Sequence, residues 1–351
     1  MNPWIKAARL RTLPLALSGI LLGSALSKLC RSALITSTNS THTIQVHHSN
    51  LIQGIVNHFL PSIVTVLAIL TATGLQVLSN FANDYGDFRK GTDIKANRKD
   101  RMLASGEISE KNMKNAIWLT SIITLLLGTL LIFLSGLFET IGGYYLLALG
   151  LLALFSAITY TMGKNAYGYL GLGDFFVFLF FGLVPVLGMG LLNGLFLKSA
   201  TTVYLDVFVM AGVGLGLLSV GVLNVNNYRD IPTDKEQNKQ TVAVRLGQHK
   251  TLSYHKILLT LGGVLLPLSF IAFEKRYFEW PNLMGLQSIF LFGIFSPFFL
   301  LLSSHFRAVK SSFPGDRESL NPELKKLSIT ILSMVVLYRI LTFLLFDFPS
   351  V

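Results

Sequence analysis

Between Phe59 and Asn83 the chain carries no Lys, Arg, Asp or Glu, and the same is true between Ala211 and Tyr228. A helix of about 20 uncharged residues has the length that crosses the hydrocarbon of a bilayer. Both runs stop at carboxylates. The first enters N-F-A-N-D-Y-G-D-F-R-K-G-T-D, Asn80 to Asp93, and the second enters N-N-Y-R-D-I-P-T-D, Asn226 to Asp234. In each, an Asn precedes the first Asp by one helical turn, Asn80 before Asp84 and Asn226 before Asp230. Acidic side chains at the rim of a membrane are costly unless something cationic compensates them. The repeat therefore demands a partner for its charge.

Similar uncharged runs recur along all 351 residues, with 52% hydrophobic residues, 13% charged residues and a mean hydropathy of +0.58. The expected fold is all-α, a polytopic membrane protein forming one domain over residues 1–351. Nine spans are predicted: Leu13–Leu29, Phe59–Asn83, Asn115–Phe138, Ile141–Met162, Phe175–Leu197, Tyr204–Tyr228, Leu252–Phe273, Leu283–Ser304 and Leu327–Phe346. The stretch 31–57 reads as a polar loop insertion. Its His42, His47 and His48 have no acidic or Cys partner and read as solvated, and Asn39-Ser40-Thr41 fits the glycosylation pattern. Arg339, two turns from the end of the last span, is expected to snorkel to the interface. Met1 to Arg11 is basic and amphipathic with Trp4, the pattern of an interfacial helix, and no cleavage site precedes the first span.

The net charge of +11 does not mark a nucleic-acid binder, because the Lys and Arg fall in short loops between spans. Most of them lie in the N-terminus and the loops after the even-numbered spans. The positive-inside rule makes that side cytoplasmic in a cell inner (plasma) membrane. Both acidic clusters fall on it, since an even number of spans separates them. One cysteine, Cys30, excludes an intrachain disulfide and a cysteine-rich metal site.

Asp84 and Asp87 share a helix face, and Asp230 and Asp234 repeat the device. Four carboxylates in one pocket suit two magnesium ions, which prefer hard oxygen ligands, and the following basic residues suit a polyphosphate. Asn80, Asn83 and Asn226 offer neutral oxygens or hydrogen bonds to the carboxylates. Metal on a diphosphate stabilises the charge that develops as a carbon–oxygen bond breaks. If that carbon is allylic, a cation forms, and a pocket inside the bundle shields it from water. Tyr160, Tyr228, Phe175 and Phe176 are aromatic candidates to face such a cation.

At these residues the chain resembles the UbiA superfamily of membrane prenyltransferases, whose two Asp-rich motifs have the form N-x-x-x-D-x-x-x-D. Asn226, Asp230 and Asp234 match it; in the first copy Asp87 follows Asp84 by three residues rather than four. The stretches A-R-L-R-T-L-P, N-D-Y-G-D-F-R-K-G-T-D, G-Y-L-G-L-G-D-F-F-V-F-L-F-F-G, R-D-I-P-T-D and T-V-A-V-R-L-G are similar to the menaquinone-pathway branch, which acts on 1,4-dihydroxy-2-naphthoate. The resemblance implies a nine-helix bundle around a central cavity, with Mg2+ on Asp84, Asp87, Asp230 and Asp234. Of the aromatic candidates, Tyr160 is the one expected among the catalytic residues, through its π face. Lys90, Arg98, Arg101, Lys239 and Arg245 are the residues expected on the diphosphate. The implied reaction joins polyprenyl diphosphate to the aromatic acid with loss of its carboxylate, giving demethylmenaquinone, diphosphate and CO2. Two rivals remain at this point. One is a related enzyme acting on 4-hydroxybenzoate, homogentisate or haem. The other is a secondary transporter, which would place its charges at midplane on broken helices.

Overall fold

The helices that the uncharged runs predict are present in the computed structural model, which describes residues 2–39, 51–95, 101–163, 166–196, 204–278, 289 and 292–346. A short helix α1, Pro3–Ala8, leads through a 3-10 turn at Leu10–Thr12 into α2, Leu13–Asn39. Helix α3, Leu51–Arg89, is followed by the short α4, Thr92–Lys95, and by the antiparallel pair α5, Glu110–Leu134, and α6, Ile141–Thr159. Ser109 and Thr140 cap α5 and α6 by accepting hydrogen bonds from Asn112 N and Gly143 N, which satisfies first-turn donors that would otherwise be orphaned. The fifth span is α7, Gly173–Phe178, a π turn at Leu179–Leu183 and α8, Val184–Leu192. Then come α9, Leu205–Arg229; α10, Ile231–Glu236; α11, Val242–Phe278, broken at Gly247, whose φ of +70° is not helical; α12, Ser296–Ser311; and α13, Arg317–Phe346.

Eight helices among the described residues are long and apolar enough to cross a membrane. The expected span Leu283–Ser304 accounts for the difference from nine: residues 283–288 and 290–291 lie outside the described residues, and α12 begins in its second half. The predicted loop 31–57 is narrower than its composition suggested. Helix α2 continues to Asn39 and α3 begins at Leu51, because no Gly or Pro interrupts Arg31–Asn39. His42, His47 and His48 fall outside the described residues. Arg339 is half-buried, with Nη1 buried and without a hydrogen-bond partner among the described residues.

Helix α9 is the axis of the bundle. It is apolar all round and is mostly buried, in contact with α7, α8, α11 and α13. Lipid tails are as apolar as leucine, so close packing rather than expulsion of water holds such helices together. The glycines of α9 supply that closeness: a Cβ on Gly182 of the π turn would come within 2.5 Å of Gly212 O. Leu22, Leu26, Phe208, Phe270 and Tyr338 fill the core around it. Helices α5 and α6 lie at the periphery and expose Trp118, Leu126, Phe133, Tyr144, Tyr145 and Phe155, an apolar face suited to lipid. Between these two groups of helices runs a cavity.

Candidate active site

Helix α3 delivers the first cluster at its last turns. Gly86 lets the helix meet the chain beyond α6, since a Cβ there would lie 2.5 Å from Thr161 Oγ1 and 2.7 Å from the Thr161 carbonyl carbon. Thr161 Oγ1 in turn donates to Ala82 O at 3.0 Å and lies 3.2 Å from Asn83 Oδ1. Asp84 and Asp87, three residues apart, diverge. Asp84 is buried, accepts a hydrogen bond from Met102 N at 3.1 Å and keeps Oδ1 unpaired. Asp87 faces the cavity, where Tyr169 Oη donates to its Oδ1 at 3.0 Å and Arg101 Nη2 lies 3.6 Å from its Oδ2. Beyond the turn at Gly91 the chain returns Asp93, whose Oδ1 lies 3.5 Å from Arg101 Nε. Arg101 thus stands between two carboxylates.

The second cluster sits at the junction of α9 and α10, where Asp230 ends one helix and caps the next. Arg229 Nε and Nη2 donate to the two oxygens of Asp230 at 2.9 and 2.6 Å, a bidentate pair. Arg229 Nη2 also donates to Asn226 Oδ1 at 2.7 Å, and Arg317 Nη2 lies 3.6 Å from Asp230 Oδ1. Asp234 Oδ1 pairs with Lys239 Nζ at 3.4 Å, while its Oδ2 is buried and unpaired. Burial pushes the Asp234 carboxyl up to about 6 against the pull of Lys239. Burial opposes the charge on Lys239, but Asp234 and Asp87 outweigh it and hold the ammonium well above its usual range.

Tyr169 joins the clusters. Its hydroxyl reaches Asp87, and the ammonium groups of Lys90 and Lys239 lie 3.6 and 5.5 Å from the centre of its ring. Burial and the Asp87 charge raise the phenol above its usual range, so it remains a donor. Burial lowers Lys90, Asp87 opposes that and Lys239 adds to it. The loop that carries Tyr169 is fixed to the segment after α10. Gln240 N donates to Tyr169 O at 2.9 Å, and Gln237 Nε2 donates to Thr92 O at 3.1 Å. Gly171, at φ +78°, has no room for a Cβ, which would come within 2.5 Å of Gln240 O.

Both clusters open on a single cavity of about 460 Å3. Asn80, Asn83, Asp87, Arg101, Asn226, Asp230, Asp234 and Lys239 line its polar end, with Tyr160 on the wall. Leu15, Ile20, Leu146, Phe180, Val184 and Met189 line the remainder. Asp84 and Lys90 do not line it. Neither does Arg245, whose Nη2 donates to Leu170 O at 2.8 Å and braces the loop of Tyr169 instead. Arg98 lies outside the described residues. Asn80 supports the entry rather than a carboxylate, since its Nδ2 donates to Ala8 O and Thr12 Oγ1. Of the other aromatic candidates, Phe176 lines the cavity, Phe175 is exposed, and Tyr228 is buried elsewhere with its hydroxyl on Ser312 O.

Several cavity residues escaped the sequence reading. Asp93 closes the first motif and was legible as a third carboxylate there. Arg229 directly precedes Asp230, and Tyr169 sits in G-Y-L-G; neither position announced its contact. Arg9 and Arg11 read as membrane-interface charges, yet they line the polar end, drawn in as Asn80 and Gln76 bind Thr12.

The donor set is oxygen throughout, carboxylate and amide, and Asp84 and Asp234 each keep a buried oxygen unpaired. That chemistry suits Mg2+ and not a soft metal. Among the described residues no three acidic, His or Cys groups converge closely enough to hold an ion, and Arg101, Arg229 and Lys239 stand against the carboxylates.

A UbiA prenyltransferase family model matches residues 55–317, well over half of the chain. The chain belongs to the UbiA prenyltransferase family. It is 36% identical over 343 residues to 1,4-dihydroxy-2-naphthoate octaprenyltransferase of Haemophilus influenzae, covering 97% of this chain and 95% of that one. It is 37% identical over 271 residues to the enzyme of the same name from Escherichia coli, covering 76% and 75%. The fold is also that of solved UbiA homologues. The apo form from Aeropyrum pernix superposes with a TM-score of 0.55 at 16% identity, over 93% of this chain and 97% of that one. The Archaeoglobus fulgidus homologue bound to GPP and Mg2+ gives 0.51 at 13% identity, over 96% and 99%. Membership of this family and the eight apolar helices make the chain a multi-pass membrane prenyltransferase, which removes the transporter reading.

Proposed function

We propose that the chain transfers a polyprenyl group from polyprenyl diphosphate to 1,4-dihydroxy-2-naphthoate, with loss of the ring carboxylate. The observation that carries this reading is the single cavity that joins both carboxylate clusters and their cations to an apolar tube between the helices. A polyprenyl diphosphate has the same division, a multiply charged head on a long apolar chain. The relatives that share most of its length and the naphthoate name favour this acceptor over other aromatic rings.

In this account Asp84, Asp87, Asp230 and Asp234 would hold Mg2+, which when bound neutralises charge on the diphosphate and makes it a better leaving group. Lys239, Arg101 and Arg229 line the same end and take phosphate oxygens. Lys90 is held near them on the face of Tyr169. Asn226 steadies Asp230 through the Arg229 guanidinium that both accept from, and the ring of Tyr160 lies beside the reacting carbon. The apolar wall keeps water away from that carbon. The C–O bond breaks with its electron pair on diphosphate, the carbon bonds to the ring position that bears the carboxylate, and CO2 departs, leaving its electron pair to restore aromaticity. The product leaves in its dihydroxy form, at the reduced level of demethylmenaquinone. The clusters face the cytoplasm of a plasma membrane, where both charged substrates are present. Purified protein in lipid vesicles, given one prenyl diphosphate and a panel of aromatic acids, tests this by product mass. A prenylated naphthalenediol supports it, and a prenylated 4-hydroxybenzoate as the sole product overturns the acceptor.

A further inference from the structure

Behind the second cluster, three helices bury a chain of titratable side chains that the chemistry above does not use. His255 of α11 and His305 of α12 are 0% and 1% exposed, and their Nε2 atoms lie 3.1 Å apart. His305 Nδ1 lies 2.5 Å from Glu323 Oε2 of α13, and Lys326 Nζ is 3.4 Å from Glu323 Oε1. An ionised carboxylate only accepts, so His305 Nδ1 carries a proton, and one further proton is shared between the two Nε2 atoms. Around this chain the packing is apolar, with Phe306 stacked on His255 and Leu302 and Leu327 buried nearby. One turn of sliding moves a helix about 5.4 Å and would part every one of these contacts. Separating buried partners leaves charge uncompensated, so the chain selects one register of α13 against α11 and α12.

That register matters because the start of α13 holds the second cluster. Asn321 Oδ1 accepts from Arg229 Nη1 at 2.6 Å, and Arg317 Nη2 lies 3.6 Å from Asp230 Oδ1. The turn between α12 and α13 is bound to the same motif: Gly315 N donates to Arg229 O at 2.8 Å, and Tyr228 Oη donates to Ser312 O at 3.2 Å. Just beyond Glu323, Leu324, Lys325 and Ser328 line the cavity. Only Pro322 separates Asn321 from Glu323, so what fixes one fixes the other.

We infer that the His255–His305–Glu323 chain positions the second carboxylate cluster, by holding α13 where Asn321 and Arg317 keep Arg229 and Asp230 in place for the diphosphate. None of the three residues lines the cavity; they act through Arg229 as positioning residues. The inference rests on the proposal that this cluster is the diphosphate end.

The test separates positioning from mere stabilisation. A variant with His255→Leu, His305→Leu and Glu323→Leu replaces the whole chain by apolar side chains, an exchange that need not lower stability. In it the donor KM and the Mg2+ concentration for half-maximal rate should rise about tenfold, the scale seen when outer supports of a metal site are removed. The acceptor KM should move less than about twofold. Asn321→Ala should reproduce this effect, and adding it to the triple variant should change little, because coupled residues are not additive. His305→Gln carries the same cycle with Asn321→Ala if the triple variant does not fold. A folded variant with donor KM and Mg2+ midpoint within about twofold of wild type, or effects that simply multiply, overturns the inference. In that case wild-type diphosphate release leaves the proposed function standing; a wild type that releases none sinks both.

Discussion

Removing one oxygen from Tyr169 asks whether the two clusters work as a unit. Tyr169→Phe deletes the hydroxyl that donates to Asp87 at 3.0 Å and leaves the ring beneath Lys90 and Lys239. A hydrogen bond to a charged group contributes about 1.5–3 kcal/mol, and the lower end applies because Tyr169 is only partly buried. That corresponds to about a tenfold loss in the rate at limiting donor. Tyr169→Leu removes the ring as well, and two cation–π contacts of about 0.5–1 kcal/mol each add roughly a further tenfold. The assay is diphosphate release by the enzyme in lipid vesicles, with donor and Mg2+ varied separately and the acceptor saturating. The losses should appear in donor KM and in the Mg2+ requirement. A Tyr169→Phe enzyme within about twofold of wild type at limiting donor would refute the bridging role.

Asp84→Asn and Asp230→Asn should each remove nearly all turnover while leaving a folded protein in detergent, because an amide keeps the shape but loses the charge that attracts the ion; activity within about threefold of wild type in either counts against the assignment. Gly86→Ala should lower thermal stability by about 1–3 kcal/mol through overpacking, and Thr161→Ala should not restore it, since the Thr161 carbonyl carbon at 2.7 Å remains. Unfolding midpoints in detergent for both variants check this, and an unchanged midpoint for Gly86→Ala contradicts it. In a Cys30→Ser background, cysteines placed at the exposed positions Ser105 and Gln248 should resist an impermeant thiol reagent in intact cells and react after permeabilisation. Labelling of either in intact cells reverses the orientation.

The spans were legible because bilayer crossing demands length and the absence of charge, both of which are local. The motif carboxylates were legible for the complementary reason: charge at the end of such a run needs a purpose. What was hidden is what depends on distant parts of the chain meeting. Asp84 and Asp87 read as equivalent, yet the backbone of Met102 claims Asp84 while Asp87 faces the cavity. Arg245 read as a phosphate ligand by its charge and position, but the close approach of Gly171 to the segment after α10 directs it to a loop carbonyl. Tyr169 and Asn321 gave no signal at all, since each acts through a partner some eighty residues or more away. Arg9 and Arg11 were assigned to the membrane interface because nothing local reveals that Asn80 folds their segment over the cavity.

The central claim is that the carboxylate of the naphthoate is exchanged for the prenyl group. With 1,4-dihydroxy-2-naphthoate labelled in its carboxyl carbon, labelled CO2 should be released in step with diphosphate, one for one, and only when prenyl diphosphate and Mg2+ are both present. With 4-hydroxybenzoate under the same conditions, attack beside the hydroxyl would lose a proton and keep the carboxylate, so no labelled gas is expected. Diphosphate release with 4-hydroxybenzoate but no labelled CO2 from the naphthoate would contradict the account.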